Sequence, residues 1–481
     1  MPNRPTQAVL DVAHHFPFSM PIEAPRVPFL NTMSHAASIY TSSVTPAHLP
    51  WNTYNYCNAP RVSAAHYIKP QGPGTEGAEL VYLNVVQRHH KRTPDNTYPN
   101  ERAYNPTAWE CDDFKQVSYG IGTGNASRLR THSVYHQVET PSWHPLASLI
   151  WEGSCDKGQL TSAGLQDSIQ HGKDFASVYG PNGVNPLLKH GVNERDLYIR
   201  TSNADRTYQV SAGLLAGMGY RNEFPVHTQP QSIDDIVPNY SCAHADDLRD
   251  SYQQLPAWTD HIKSKAGLFA SLNAVVGTAN QSSWNTWIDH HFDAMASRQC
   301  HGHSLPENPE TKEAIGQDLA NQAYAEGDWE YDYIWNTAEG ADDYVRYGFG
   351  VFVQELAENL KAFRDGKERH KVKYYVGHDG TMVRLFKSLA QSGQIRWPAM
   401  GSEVVIEVWR KPNGKGQNDK QHYVRILQYG STMATNADLL ASSPGHGGDG
   451  GHLIAWTPLD DVIKYLESRV PADLYEKCVQ G

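Results

Sequence analysis

The sequence predicts an α/β fold: a mostly parallel sheet flanked by helices, with a smaller, mainly helical subdomain inserted into it. Three observations carry that expectation. The β-branched and aromatic run Val81-Tyr82-Leu83-Asn84-Val85-Val86-Gln87 ends abruptly in Arg88-His89-His90-Lys91-Arg92-Thr93-Pro94. A second short strand, 196–201, gives way to Ser202-Asn203-Ala204-Asp205-Arg206-Thr207 and then to a small-residue helix over 208–218. A third, 373–377, ends at His378-Asp379-Gly380-Thr381 and runs into a helix over 382–389. In a mostly parallel sheet such polar strand ends converge on one edge, which is where open α/β sheets bind ligands.

The remaining elements follow in order. A chain of 481 residues exceeds one ordinary core, so a large domain with an insertion is expected. Residues 1–80, rich in Pro, Ser, Thr and aromatics, read as an extended segment wrapping over a body. Residues 81–238 and 343–481 then form the α/β catalytic domain, and 239–342 the helical insertion. Gly120, Gly122 and Gly124 are spaced like a surface loop. Thr161 is a good N-cap for a helix with the apolar stripe Leu165, Ile169, Phe175 and Val178, stopped by Gly180-Pro181. Helical stretches over 266–272 and 313–325 dominate the insertion. Val345, Phe349, Phe352, Val353, Leu356 and Leu360 share one face of a helix over 343–364. Strands at 404–409 and 423–428 flank the hydrophilic turn 411–420 as a hairpin, 445–452 reads as a mobile surface loop, and a helix over 458–466 closes the chain.

Composition narrows the function. The net charge is −11, which disfavours nucleic acid as a partner, and no apolar run is long enough to span a bilayer. Against that negative background the cluster at Arg88, Lys91 and Arg92 points to a small anionic ligand. The six cysteines show no C-x-x-C spacing and fit three disulfides, with 15 possible pairings. Acceptor triplets at Asn125, Asn239 and Asn280 favour a secreted glycoprotein, although Met1-Pro2-Asn3-Arg4 opens no charged-then-apolar leader. His290-His291 and His301-Gly302-His303 lack a third ligand at a diagnostic spacing, so they read as packing histidines and no metal is expected.

The chemistry of the three strand ends is specific. Arg88, Arg92 and Arg206 offer the planar, permanently charged forks that a phosphoryl dianion needs, although Arg206 reads equally well as a surface partner of Asp205 or Glu223. A neutral histidine among them can attack phosphorus, and a carboxylic acid beside a second histidine can protonate a departing alkoxide. The stretch 88–94 resembles the R-H-G-x-R-x-P signature of the histidine acid phosphatases. His378-Asp379 resembles their distal H-D pair, and Asp205-Arg206-Thr207 their D-R-T segment. Trp397-Pro398 and Val424-Arg425-Ile426-Leu427 look like the fungal acid phosphatase and phytase branch.

The resemblance implies a phosphoglycerate mutase-like fold and a metal-independent, cofactor-free phosphomonoesterase with an acidic optimum. In it His89 would be the nucleophile and Asp379 the proton donor. Arg88, Arg92, Arg206 and His378 would hold the phosphoryl oxygens of a small-molecule ester. A phytase-type inositol polyphosphate phosphatase is the alternative, and an inactive phosphate-binding glycoprotein a third. One departure stands out: the family glycine after the nucleophile is His90 here. His90 and Lys91 are expected to reshape the pocket rim and bias substrate choice, the alternative being that His90 points away into the body.

Overall fold

The computed structural model describes residues 38–111, 116–121, 130–135, 138–238, 240–411, 421–441 and 451–480. Asn125, Asn239 and most of the loops expected at 120–124, 411–420 and 445–452 lie outside them. The strands are β1 (Glu79–Arg88), β2 (Gln116–Ile121), β3 (Arg130–Tyr135), β4 (Leu197–Thr201), β5 (Val226–His227) and β6 (Val372–Gly377). They continue with β7 (Glu403–Arg410), β8 (His422–Gln428), β9 (Ser431–Thr432), β10 (Ala434–Thr435), β11 (His452–Leu453) and β12 (Thr457–Pro458).

Eight strands form one sheet in the order β12-β8-β7-β1-β6-β4-β5, with β9 beside β8. β1, β6, β4 and β5 pair in parallel, whereas β7 joins β1 antiparallel and carries the predicted hairpin to β8. The sheet is therefore mixed, and the parallel half is the half that holds the three polar strand ends.

Both faces of the sheet are buried. Successive residues of β1 point to opposite faces, so Tyr82 and Val86 enter one core while Leu83 and Val85 enter the other. The second core is closed by α2 (Ser162–Tyr179) and α3 (Asp205–Gly217), after the short α1 (Glu101–Tyr104). The first is closed by α9 (Ala341–Arg364), α10 (Asp379–Ser388) and α11 (Leu459–Ser468). Between β5 and α9 run α4 (Ala243–Gln253), α5 (Pro256–Ser264), α6 (Ala266–Val276), α7 (Asp289–Cys300) and α8 (Gln317–Asp332). Their apolar side chains, Phe292 and Ala323 among them, belong to the same core as Phe352 of α9 and Val404 of β7.

All six cysteines pair, as Cys57–Cys300, Cys111–Cys155 and Cys242–Cys478. The first ties the extended N-terminal segment to the end of α7. The third ties the start of α4 to the C-terminal residues.

Two helices start earlier than their sequence suggests. α3 begins at Asp205, directly after the extended Ala204, and the carboxylate suits a helix N-terminus. α10 begins at Asp379 because His378 N–H donates to Thr381 Oγ1 at 3.1 Å, so Thr381 caps the turn. Both starts bring the polar strand end and the helix into immediate succession. The loop after β1 is braced from the side by the segment before α2. Thr93 N–H donates to Gln159 O at 3.0 Å and Thr161 N–H to Lys91 O at 3.3 Å. Gly164 packs so tightly there that a Cβ would stand 2.0 Å from Lys91 O.

Candidate active site

Strand register builds the site. Arg88 pairs with Gly377 across β1 and β6, and Thr201 with Val376 across β6 and β4, so the three parallel strands end almost level. The polar residues that follow each end therefore meet. They line a cavity of about 340 Å³ that includes His89, Arg92, Asp95, Asn203, Arg206, His378, Asp379 and Arg384. Arg88 stands behind it, fully buried, with Nη2 2.9 Å from Asp379 Oδ2 and Nη1 donating to Pro398 O.

The histidine geometry fixes which nitrogen can react. His89 Nδ1–H donates to His90 O at 2.8 Å, which leaves the lone pair on Nε2. Burial, then Arg206 and Arg88, hold His89 well below the ordinary imidazole value, so it stays neutral in acid. Its ring centroid lies 5.3 Å from that of His378. His378 Nδ1 accepts from Arg206 Nη2 at 3.3 Å, because a guanidinium can only donate, and Nε2–H then donates to Ser202 Oγ at 2.8 Å. Burial and Arg206 push His378 down as well.

The carboxylates answer the arginines. Arg92 contacts Asp293 Oδ1 at 3.0 Å and Asp95 Oδ2 at 2.7 Å, and Arg206 lies 3.9 Å from Asp95. Arg206 thus faces the cavity and pairs with neither Asp205 nor Glu223. Burial alone would raise Asp379, but Arg88 and the Trp397 indole N–H, 3.0 Å from Oδ2, outweigh it and hold the carboxyl well below its usual range. Asp379 is therefore held as a carboxylate.

Sequence reasoning missed Asp95, Asp293, Ser202, Asn203 and Arg384. Asp95 directly follows the basic cluster and was legible as its counter-charge. Asp293 comes from α7, and only the tertiary fold brings it to Arg92.

The family model of the histidine phosphatase superfamily (branch 2) matches residues 79–428. The chain belongs to that superfamily. It is 23% identical to counting factor 60 of Dictyostelium discoideum, over 74% of this chain and 80% of that protein. It is 20% identical to human lysosomal acid phosphatase, over 84% of this chain and 82% of that protein. The bovine lysophosphatidic acid phosphatase type 6 is 24% identical over 70% of this chain and 75% of its own length. Among solved structures, the apo form of Hafnia alvei phytase superposes with a TM-score of 0.53 at 14% identity, covering 84% of this chain and 99% of that one. That likeness shows the fold.

His90, at the position where the family signature has glycine, and Lys91 do not shape the pocket rim. The expectation fails because both side chains turn into the body. His90 is fully buried and does not adopt a left-handed backbone. Its ring fills the space over Gly401, where φ is +70° and a Cβ would stand 2.3 Å from His90 Cε1. His90 Nε2 lies 3.2 Å from His171 Nδ1, and His171 Nε2 lies 3.0 Å from Glu403 Oε2. The carboxylate must accept, so His171 carries a proton on Nε2, while His90 Nε2 also faces the Gln87 side-chain amide nitrogen at 3.1 Å, which can only donate. Burial holds both rings below the ordinary imidazole value. Lys91 Nζ pairs with Asp167 Oδ2 at 2.9 Å.

His90→Gly, which restores the family residue, should therefore destabilise the fold. Loss of the buried ring and of its hydrogen-bonding contacts with Gln87 and His171 should cost about 2–4 kcal/mol. Chemical denaturation of the two proteins measures it, and equal stability would contradict the packing role.

Proposed function

We propose that this histidine phosphatase hydrolyses phosphate monoesters through a phosphohistidine at His89, with Asp379 as proton donor. The observation that carries the reading is the lone pair left on His89 Nε2 in a cavity lined by Arg92 and Arg206, with Arg88 buried behind it. The likeness to acid phosphatases supports the same conclusion.

A bound phosphoryl dianion takes hydrogen bonds from the three guanidiniums, and Arg206 swings from His378 Nδ1 to a phosphoryl oxygen. His378 is then free to switch tautomer, Nε2 accepting from Ser202 Oγ–H while Nδ1–H donates to that group. Sharing Arg88 with the dianion weakens its hold on Asp379, whose carboxyl gains a proton. His89 Nε2 attacks phosphorus and forms the N–P bond as the P–O ester bond breaks. The leaving oxygen takes the Asp379 proton and departs as the alcohol. Throughout, Nδ1–H donates to His90 O, which stabilises the positive phosphoimidazole. Water then attacks phosphorus, Asp379 accepts its proton, the N–P bond breaks and phosphate leaves. The guanidiniums supply the charge stabilisation in every step.

The site favours small esters over a phytase-type substrate. A volume of about 340 Å³ is at the lower end for small-molecule sites, and Asp95 and Asp379 both line it. The three disulfides and the exposed Asn280 fit manufacture in an oxidising compartment, and secretion is part of the proposal. No helix among the described residues is long and apolar enough to cross a membrane.

Phosphate release from p-nitrophenyl phosphate and from an alkyl phosphate, with EDTA present, tests the reading. Activity should persist from about pH 7 to about pH 5, where an ordinary imidazole would be only about 3% neutral. Asp379→Asn should slow the alkyl ester far more than the nitrophenyl ester, because the alkoxide most needs a proton. No release from either ester by the wild type would sink the proposal, and equal loss on both would remove the acid role from Asp379. Binding of inorganic phosphate should also take up a proton at about pH 8.5, where the free ligand is already the dianion. Calorimetry in buffers of different ionisation enthalpy reads this directly, and no uptake would mean that Asp379 stays ionised in the complex.

A further inference from the structure

We propose that Arg384 is a second anion subsite, so that the preferred esters carry a second anionic group on the leaving alcohol. This rests on the phosphomonoesterase reading above and names its substrate class.

The charge pattern of the cavity separates Arg384 from the other arginines. Arg88, Arg92 and Arg206 each have a carboxylate within 4.0 Å, the longest contact being Arg206 to Asp95 at 3.9 Å. Arg384 lines the same cavity and, among the described residues, has no carboxylate partner. Its contacts are neutral: Nη1 donates to Gly380 O at 2.9 Å and Nη2 to Tyr344 Oη at 3.1 Å, while Nε has no partner. A half-buried guanidinium without a counter-charge keeps its full attraction for an anion from solution.

Its surroundings add to that attraction. Tyr344 Oη also accepts from Arg249 Nη1 at 3.3 Å, and Arg249 likewise has no carboxylate partner among the described residues. Two guanidiniums therefore converge on one phenol. Burial alone would raise Tyr344, yet Arg384 and Arg249 outweigh it and lower it, which reports the positive field at this wall. The head is also held in place, since Arg384 lies over the rings of Trp335 and Tyr344, 5.7 Å from each centroid. Little side-chain entropy remains to be lost when an anion binds.

Position decides which part of the substrate Arg384 reads. The side chain folds back one turn along α10, so its head lies against Gly380, beside the proton donor Asp379. Gly380 leaves the room for it, since a Cβ there would stand 2.8 Å from Arg384 Nη1. A proton donor faces the leaving oxygen, so a group next to it meets the substituent on the leaving alcohol. One helical turn sets the scale, and the second anion should sit about 5–7 Å from the scissile phosphorus. The remaining wall at Asn203, Ala204 and Val237 is uncharged.

The test compares 3-hydroxypropyl phosphate with 1,3-propanediol bisphosphate, which share a carbon chain and differ in the distal group. For the wild type, kcat/KM should favour the bisphosphate by about tenfold or more, carried by KM and weakened by salt. Arg384→Gln should reduce the ratio to about two, the statistical factor for two equivalent ends, and Arg384→Lys should give an intermediate value. A wild-type ratio of about two overturns the subsite, whether or not the variants fold, and leaves the phosphatase standing. A high ratio that survives Arg384→Gln in a folded variant overturns the assignment to Arg384. Release from neither ester by the wild type removes the phosphatase reading as well.

Discussion

The pairing of Arg88 with Gly377 is the contact on which the site depends. It levels the ends of β1 and β6, and β4 follows through Thr201 and Val376. A slip of one residue would turn Arg88 to the opposite face and separate His89 from His378-Asp379. The register is held by apolar side chains buried on both faces, such as Val85 and Val86. Stability of the sheet and geometry of the chemistry are thus set by the same residues. The backbone N–H of His89 donates to Gly377 O at 2.9 Å, which carries the pairing one residue beyond the strand.

Burying three guanidiniums around one cavity would be costly if their charges stood alone. Asp379, Asp95 and Asp293 lower that cost, and they also set how the site responds to a ligand. An incoming dianion competes for Arg88 and so changes the proton affinity of Asp379. In the proposed mechanism the acid for leaving-group departure is therefore made by binding. His89 works in the opposite sense. Its neutrality comes from burial and from Arg206 and Arg88, so it is available before the substrate arrives.

Much of this was legible in the sequence, for a physical reason. The strands at 81–87, 196–201 and 373–377 are short apolar runs that stop at charged residues, and burial periodicity makes such stops conspicuous. Arg88, His89, Arg92, Arg206, His378 and Asp379 fall at those stops, and the structure brings them together. The direction of His90 was not legible. It depends on Gly401 and His171, each remote in sequence, which provide the space and a hydrogen-bond partner. Asp293 and Trp397 were hidden for the same reason, since nothing local marks α7 or the segment before β7 as neighbours of Arg92 and Asp379. Arg384 lay in a run read only as a helix, and its lack of a carboxylate partner is a property of the packed molecule.

The central claim is that His89 Nε2 becomes covalently phosphorylated. The most direct measurement is rapid quenching of the wild-type enzyme with radiolabelled p-nitrophenyl phosphate in the steady state, followed by proteolysis and mass spectrometry of the labelled peptide. The account predicts an acid-labile, alkali-stable phosphate on His89, formed before phosphate is released and missing in His89→Ala. Label on His90, or turnover with no trapped phosphoenzyme and with inversion at a phosphorus made chiral by oxygen isotopes, would contradict it.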